Sequence, residues 1–221
     1  MVETASGTAN PHYDESYFAF QRTIGNFGML ANLIKFKKFI RPTDTVIDFG
    51  AGGGFLLSQI DCAERIGVEI NPSGRANGNK LGIRMVERFS DVSDEIADVV
   101  ISNHALEHTD HPLGHLHEVY AKLKPGGLAV FVVPCEQIGY RWRPNDVNFH
   151  IHSWGPMSFG NLFTRAGFEV LESKPFFHKW PPHYLLIQRI CGWTIFHAIA
   201  RLYSHLARHY VQVRCVARRP A

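Results

Sequence analysis

One stretch constrains this chain more than any other. Val46-Ile47-Asp48-Phe49 runs into Gly50-Ala51-Gly52-Gly53-Gly54 and leaves through Phe55-Leu56-Leu57. A short apolar run that ends in an acidic residue reads as a buried strand. Four glycines in five residues then break it, and apolar residues at helical spacing follow. The pattern is strand, tight turn, helix. Glycine loses more backbone freedom on ordering than any other residue, so a cluster of four implies a need for bare backbone. The turn is read as the seat of the nucleoside part of a cofactor.

The rest of the chain supports an α/β reading. Strands are expected at 45–49, 65–70, 83–86, 98–102 and 128–133, with helices at 55–61, from Asn71-Pro72-Ser73 onward and at 112–123. The strands are near-continuous apolar runs, as in parallel strands buried on both faces. Alternation of this kind implies an open doubly wound sheet. The helix at 112–123 presents Leu113, Leu116, Tyr120 and Leu123 on one face, and Lys124-Pro125-Gly126-Gly127 stops it. Further on, a helix at 158–166, a strand at 168–171, a long helix at 183–208 and a last strand at 210–217 are expected. In the long helix, Ile187, Cys191, Ile195, Ile199, Leu202 and Leu206 share one stripe. A polar leader at 1–12 is read as disordered. Residues 13–221 are read as one domain, with an N-terminal helical cap at 13–40 and an appended helix at 183–208. Gly25 and Gly28 are expected to break the cap into two short helices, with Lys35, Lys37 and Lys38 closing the second against its dipole.

Composition excludes some classes. The chain has 221 residues, 23 basic and 20 acidic, for a formal charge of +3. That balance does not favour nucleic acid, whose binders concentrate positive charge. Cys62, Cys135, Cys191 and Cys215 are far apart and form no CxxC pair, which fits reduced thiols in a cytoplasmic protein. The first ten residues lack the basic start and apolar core of a secretory signal.

Two cofactor classes use a glycine turn after the first strand. Dinucleotide binders require a third glycine, which here is Phe55, so that fingerprint fails. Glu69, about 20 residues beyond the turn, is where a ribose-binding carboxylate is expected. This carboxylate serves either class.

The chain resembles the Rossmann-like S-adenosylmethionine (SAM)-dependent methyltransferases, in particular their small-molecule subgroup. Asp48-Phe49-Gly50-Ala51-Gly52-Gly53-Gly54 is similar to their first motif, and Glu69 to their ribose carboxylate. Ala97-Asp98-Val99-Val100-Ile101-Ser102-Asn103 is similar to the strand-4 motif. His104-Ala105-Leu106-Glu107-His108 is similar to the x-x-L-E-H that follows it. Leu123-Lys124-Pro125-Gly126-Gly127 is similar to their L-K-P-G-G, and Ala166-Gly167-Phe168-Glu169-Val170 to the strand-6 approach. The resemblance spans residues 13–175 and rests on five motifs in order. It implies a mostly parallel seven-stranded sheet with the last strand antiparallel. Tyr17-Phe18-Ala19-Phe20-Gln21 further resembles the leader of a bacterial group linked to sugar or polysaccharide pathways.

The implied activity is methyl transfer from SAM to oxygen or nitrogen of a small molecule, leaving S-adenosylhomocysteine. Asp48, Gly50, Ala51, Gly52 and Glu69 would hold SAM, with Phe89 at the adenine, Asp91 as its fallback, and Asn103 and His104 near the methionine end. Of 13 histidines, His108 and His152 are the candidates for base or substrate orientation. Glu136, Arg141, His150 and Trp154 are candidates for the substrate side. His104, His108, Asp110 and His111 are weighed as metal ligands, but no tight ligand motif appears and no metal is expected. Helix 183–208, with Trp180, Tyr184, Trp193, Arg189, Arg201 and Arg208, offers peripheral membrane contact. Packing on the sheet or at a homodimer contact is preferred. Two other classes stay open: an NAD-type oxidoreductase and a non-catalytic SAM-binding scaffold.

Overall fold

A computed structural model describes residues 27–136, 139–144, 146, 148–207 and 211–221. The expected leader, the Tyr17–Gln21 segment and Gly25 lie outside these residues. Seven strands form one sheet: β1 (Thr45–Phe49), β2 (Glu64–Val68), β3 (Arg84–Val86), β4 (Ala97–Asn103), β5 (Leu123–Cys135), β6 (Glu169–Phe176) and β7 (Val211–Arg218). Their order is β3-β2-β1-β4-β5-β7-β6. β1 to β5 pair in parallel, and β7 runs antiparallel between β5 and β6. This is the Rossmann-like methyltransferase fold, with the order reversing between β1 and β4. In such sheets the crevice beyond the carboxyl ends at the reversal receives the ligand.

Strand residues alternate between two cores, because successive side chains point to opposite faces. Ile47, Val100, Phe131 and Val133 face one side, where Leu116 and Val119 of α3 (Pro112–Lys122) and Phe159 and Phe163 of α4 (Pro156–Arg165) cover them. Val46, Val99, Ile101, Val130 and Val132 face the other, against Phe36 and Leu57. Burial on both faces explains why the strands carry almost no polar alternation. α2 (Pro72–Lys80) follows β2. Its N-cap Asn71 accepts from the Ser73 and Gly74 amides, and Pro72 supplies the first position, where no amide partner is needed.

Four local expectations are corrected. The helix expected at 55–61 is only a 3₁₀ turn, Leu57–Gln59, because Arg65 takes the Ile60 carbonyl at 3.1 and 2.6 Å and Ile60 itself is extended. The Lys124–Gly127 stretch does not precede β5 but lies inside it; Gly126 N donates to Arg219 O and Arg219 N donates to Gly127 O, both at 2.9 Å. Gly28 sits within a helix, α1, described over 27–32, and two 3₁₀ turns follow (Leu33–Lys35 and Lys37–Phe39). Lys35 is buried rather than a solvent-side helix cation.

The long helix α5 (Tyr184–Ala207) shows the fourth. Its backbone leaves helical geometry at Gly192, with φ 72° and ψ 176°. The phase of the stripe changes there. Phe196, Ala200 and Ser204 are buried, with Trp193 against Phe27. Ile195, Leu202 and Leu206 of the expected stripe are exposed, as is Cys191. Among the described residues, no helix is long and apolar enough to cross a membrane.

Candidate active site

The glycine turn leaves β1 with three positive φ values: Gly50 at 72°, Gly52 at 55° and Gly54 at 75°. L-residues avoid this region. Space adds a second constraint. A Cβ at Gly50 would overlap the Ala105 Cβ, and one at Gly54 would lie 2.7 Å from Ile83 Cδ1. The amides of Gly50 and Ala51 donate to Val68 O at 2.9 and 3.1 Å, which ties the turn to β2. The cradle is thus open, narrow and fixed.

Glu69 stands just past β2 and braces this turn. Its Oε2 accepts from Gly52 N at 2.7 Å, and its Oε1 from Asn71 N at 2.8 Å. An ionised carboxylate has about four acceptor positions, so each oxygen keeps one for a further donor. Burial raises the Glu69 pKa, and the Asn71 and Gly52 amides and Arg75 oppose it. Asp48 is buried at the end of β1, and burial plus the nearby Glu69 push its pKa up to about 8. Ala51 is nearly buried at the turn.

Phe89 sits differently from its expected place. It is 2 % exposed and stacks on Phe49 at 5.4 Å inside the main core, so its side chain is packing rather than an open adenine wall. Asp91 accepts from Arg88 N at 3.2 Å, which commits it to a local turn.

Beyond β4 the chain meets a second polar centre. Asn103 accepts from Lys35 Nζ at 2.7 Å. These two, with Asn32, His104, His178, Lys179, Trp180 and Gln212, line a cavity of 330 Å³. Burial lowers the Lys35 pKa to about 7, against the raising effect of Glu107. His178 faces His197 at 2.9 Å, and burial, then Lys35, push its pKa down to about 3. His104, at φ 57°, places Nε2 3.2 Å from Gln212 Oε1 and Nδ1 3.3 Å from Glu107 Oε1.

Glu107 is fully buried, and neither of its carboxylate oxygens has a hydrogen-bond partner among the described residues. Burial alone would raise its pKa, but His104 and then His108 outweigh it and hold the carboxyl below its usual range. His108 Nε2 lies 3.8 Å from Glu107 Oε1, and its ring is 5.0 Å from that of His150. Burial holds the His108 pKa below its ordinary value, while Glu107 pulls it upward. His150 Nδ1 lies 2.9 Å from Glu136 Oε1. The loop reaches this point because Ile151 N and His152 N both donate to Glu107 O, at 3.0 and 3.1 Å.

The structure therefore gathers Glu107, His108, His150 and Glu136 at one edge. His152 stacks on Trp154 at 5.3 Å, and Trp154 packs on Phe159. Arg141 is exposed. Lys35, Glu107, His178 and Gln212 carry no site role in the sequence reading. Only Glu107 had a signal there, its place in the L-E-H triplet.

The model of a family described as "Methyltransferase domain" matches residues 23–173. No curated protein sequence matches the chain. Solved structures do. A SAM-dependent methyltransferase from Thermotoga maritima is 17 % identical, with a TM-score of 0.66 over 94 % of this chain and 97 % of that one. One from Archaeoglobus fulgidus is 18 % identical, with a TM-score of 0.64 over 92 % and 100 %. Phosphoethanolamine N-methyltransferase 2 of Haemonchus contortus, in complex with SAM, is 15 % identical, with a TM-score of 0.68. This chain covers 96 % of its own length there but 59 % of that protein. At these identities the likeness is one of fold.

Proposed function

The chain belongs to the methyltransferase-domain family, and from that premise we propose that it methylates an oxygen or nitrogen of a small molecule. It is a SAM-dependent methyltransferase, which closes the NAD-type alternative. The acceptor class we favour is a sugar or polysaccharide-pathway intermediate, on the strength of the leader resemblance alone. The observation that carries the cofactor reading is the cradle: Gly50 has no room for a Cβ, and Glu69 ties the turn down through the Gly52 amide.

SAM supplies a methyl group already activated on a sulfonium. The chain's residues position and shield. The glycine turn admits the nucleoside against bare backbone, and Glu69 offers its remaining lone pairs to ribose. Asn103, held by Lys35, stands at the end of β4 beside the cavity. Such positioning supplies much of the rate in a two-substrate transfer. An acceptor hydroxyl or amine must also lose a proton. His108 is our candidate to take it, because burial favours the neutral ring. Glu136, His150, His152 and Trp154 form the wall on the acceptor side.

Calorimetry with SAM and S-adenosylhomocysteine, on wild type and Glu69→Ala, tests the reading. Binding to wild type and a large loss in the variant are expected. If neither ligand binds the wild type, the reading fails.

A further inference from the structure

We propose that Glu107, His108 and His150 bind one divalent transition-metal ion, of the zinc or cobalt kind. One potential ligand atom from each of the first three lies within 4.8 Å of the others. Glu107 is the starting point. A buried carboxylate is normally satisfied by donors or a cation, yet neither oxygen of this one has a hydrogen-bond partner among the described residues.

The imidazoles around it are oriented as ligands. Gln212 Nε2 donates to His178 O, which turns Gln212 Oε1 toward His104 Nε2. An amide oxygen accepts, so that nitrogen of a neutral His104 carries the hydrogen. Its Nδ1 lone pair then faces Glu107 Oε1 at 3.3 Å. His150 is fixed in the same way. Its Nδ1 meets the Glu136 carboxylate at 2.9 Å, so its Nε2 keeps the lone pair. A carboxylate behind a histidine is the usual outer support of a metal-binding imidazole. The His104 lone pair thus meets an anion with no hydrogen between them, and a cation beside Glu107 resolves this. Imidazoles with one carboxylate suit zinc and cobalt better than magnesium or calcium, which prefer oxygen.

The competing arrangement is a charged His104 paired with Glu107, which asks nothing of His150. The sequence expectation of no metal weighs His104, His108, Asp110 and His111 along one segment. The set assembled here joins that segment to a distant loop, through the two amides on Glu107 O. Catalytic use of the ion rests on the methyltransferase reading; its binding does not. A bound ion would hold an acceptor oxygen and favour its deprotonated form, making His108 a ligand instead of a base.

The test is titration of chelator-stripped, full-length protein with Co²⁺, followed by visible absorption, with Zn²⁺ as competitor and SAM calorimetry on the same samples. We expect one Co²⁺ per chain, displaced by Zn²⁺. His150→Ala and Glu107→Gln should each weaken uptake by about 100-fold, the scale seen when a metal's supports are removed, with SAM affinity kept. If Glu107→Gln fails to fold, His150→Ala decides, because its side chain lies on a loop. SAM binding without Co²⁺ uptake overturns the metal and leaves the methyltransferase reading standing, as does wild-type uptake by His150→Ala. Co²⁺ uptake without SAM binding does the reverse.

Discussion

Glu69, half-buried, and Glu107, fully buried, are carboxylates at the same edge of the same sheet, and they are finished differently. Glu69 accepts one backbone amide on each oxygen, both from the turns it braces. Glu107 has no hydrogen-bond partner on either oxygen among the described residues, only imidazole nitrogens at 3.3 and 3.8 Å. Burial wins at Glu69 and raises its pKa, whereas the histidines win at Glu107 and lower it. The fold itself completes the first carboxylate. The second keeps its charge in a place where only a positive partner balances it.

The largest expected effect tests Lys35, whose pKa Glu107 raises against the effect of burial. Lys35 titrates at about 7 in the folded chain against 10.5 when free. Between those values the unfolded chain binds the extra proton, so stability rises with pH, by up to about 5 kcal/mol at 1.36 kcal/mol per unit. Below pH 7 the curve is flat. Urea melts of wild type and Lys35→Met from pH 6 to 10 should diverge across that window, and parallel curves would show that Lys35 stays charged.

Gly50→Val comes next. Positive φ and overlap with Ala105 together cost on the order of 4 kcal/mol, and no heat of SAM binding should remain. Retained binding would mean that the cradle is elsewhere. Glu69→Gln removes one of two charge-assisted bonds, worth about 2 kcal/mol in denaturation, with about tenfold weaker SAM binding. The smallest effect is at Glu107. In chelator, Glu107→Gln should destabilise the chain by about 1 kcal/mol, because the surrounding imidazoles favour the ionised carboxylate that the amide replaces. A higher melting temperature instead would show that the buried charge is unmatched.

These two sites also differ in how far the sequence exposes them. The turn is legible because glycine spacing and apolar runs are local, and β1 falls on 45–49 as read. Glu69 is legible by its distance from that turn. Lys35 is not, because a lysine in a basic run looks solvated, and only the contact with Asn103 across the fold reveals its burial. Glu107 is visible as a letter in a motif, but its lack of hydrogen-bond donors is a property of its surroundings. His150 joins His108 through main-chain bonds that no side-chain pattern records. The α5 stripe misleads because Gly192 resets the helical phase midway, and a single period cannot represent two helices.

The Glu107 carbonyl accepts two adjacent amides, Ile151 and His152, and so works as a latch. Two consecutive residues of the loop are thus held at one point. At about 1 kcal/mol each, those two bonds alone would keep an open form to a few per cent of molecules. Turnover would then be paced by how often an acceptor finds the latch undone, and substitutions in the loop would change exchange rates before they changed chemistry.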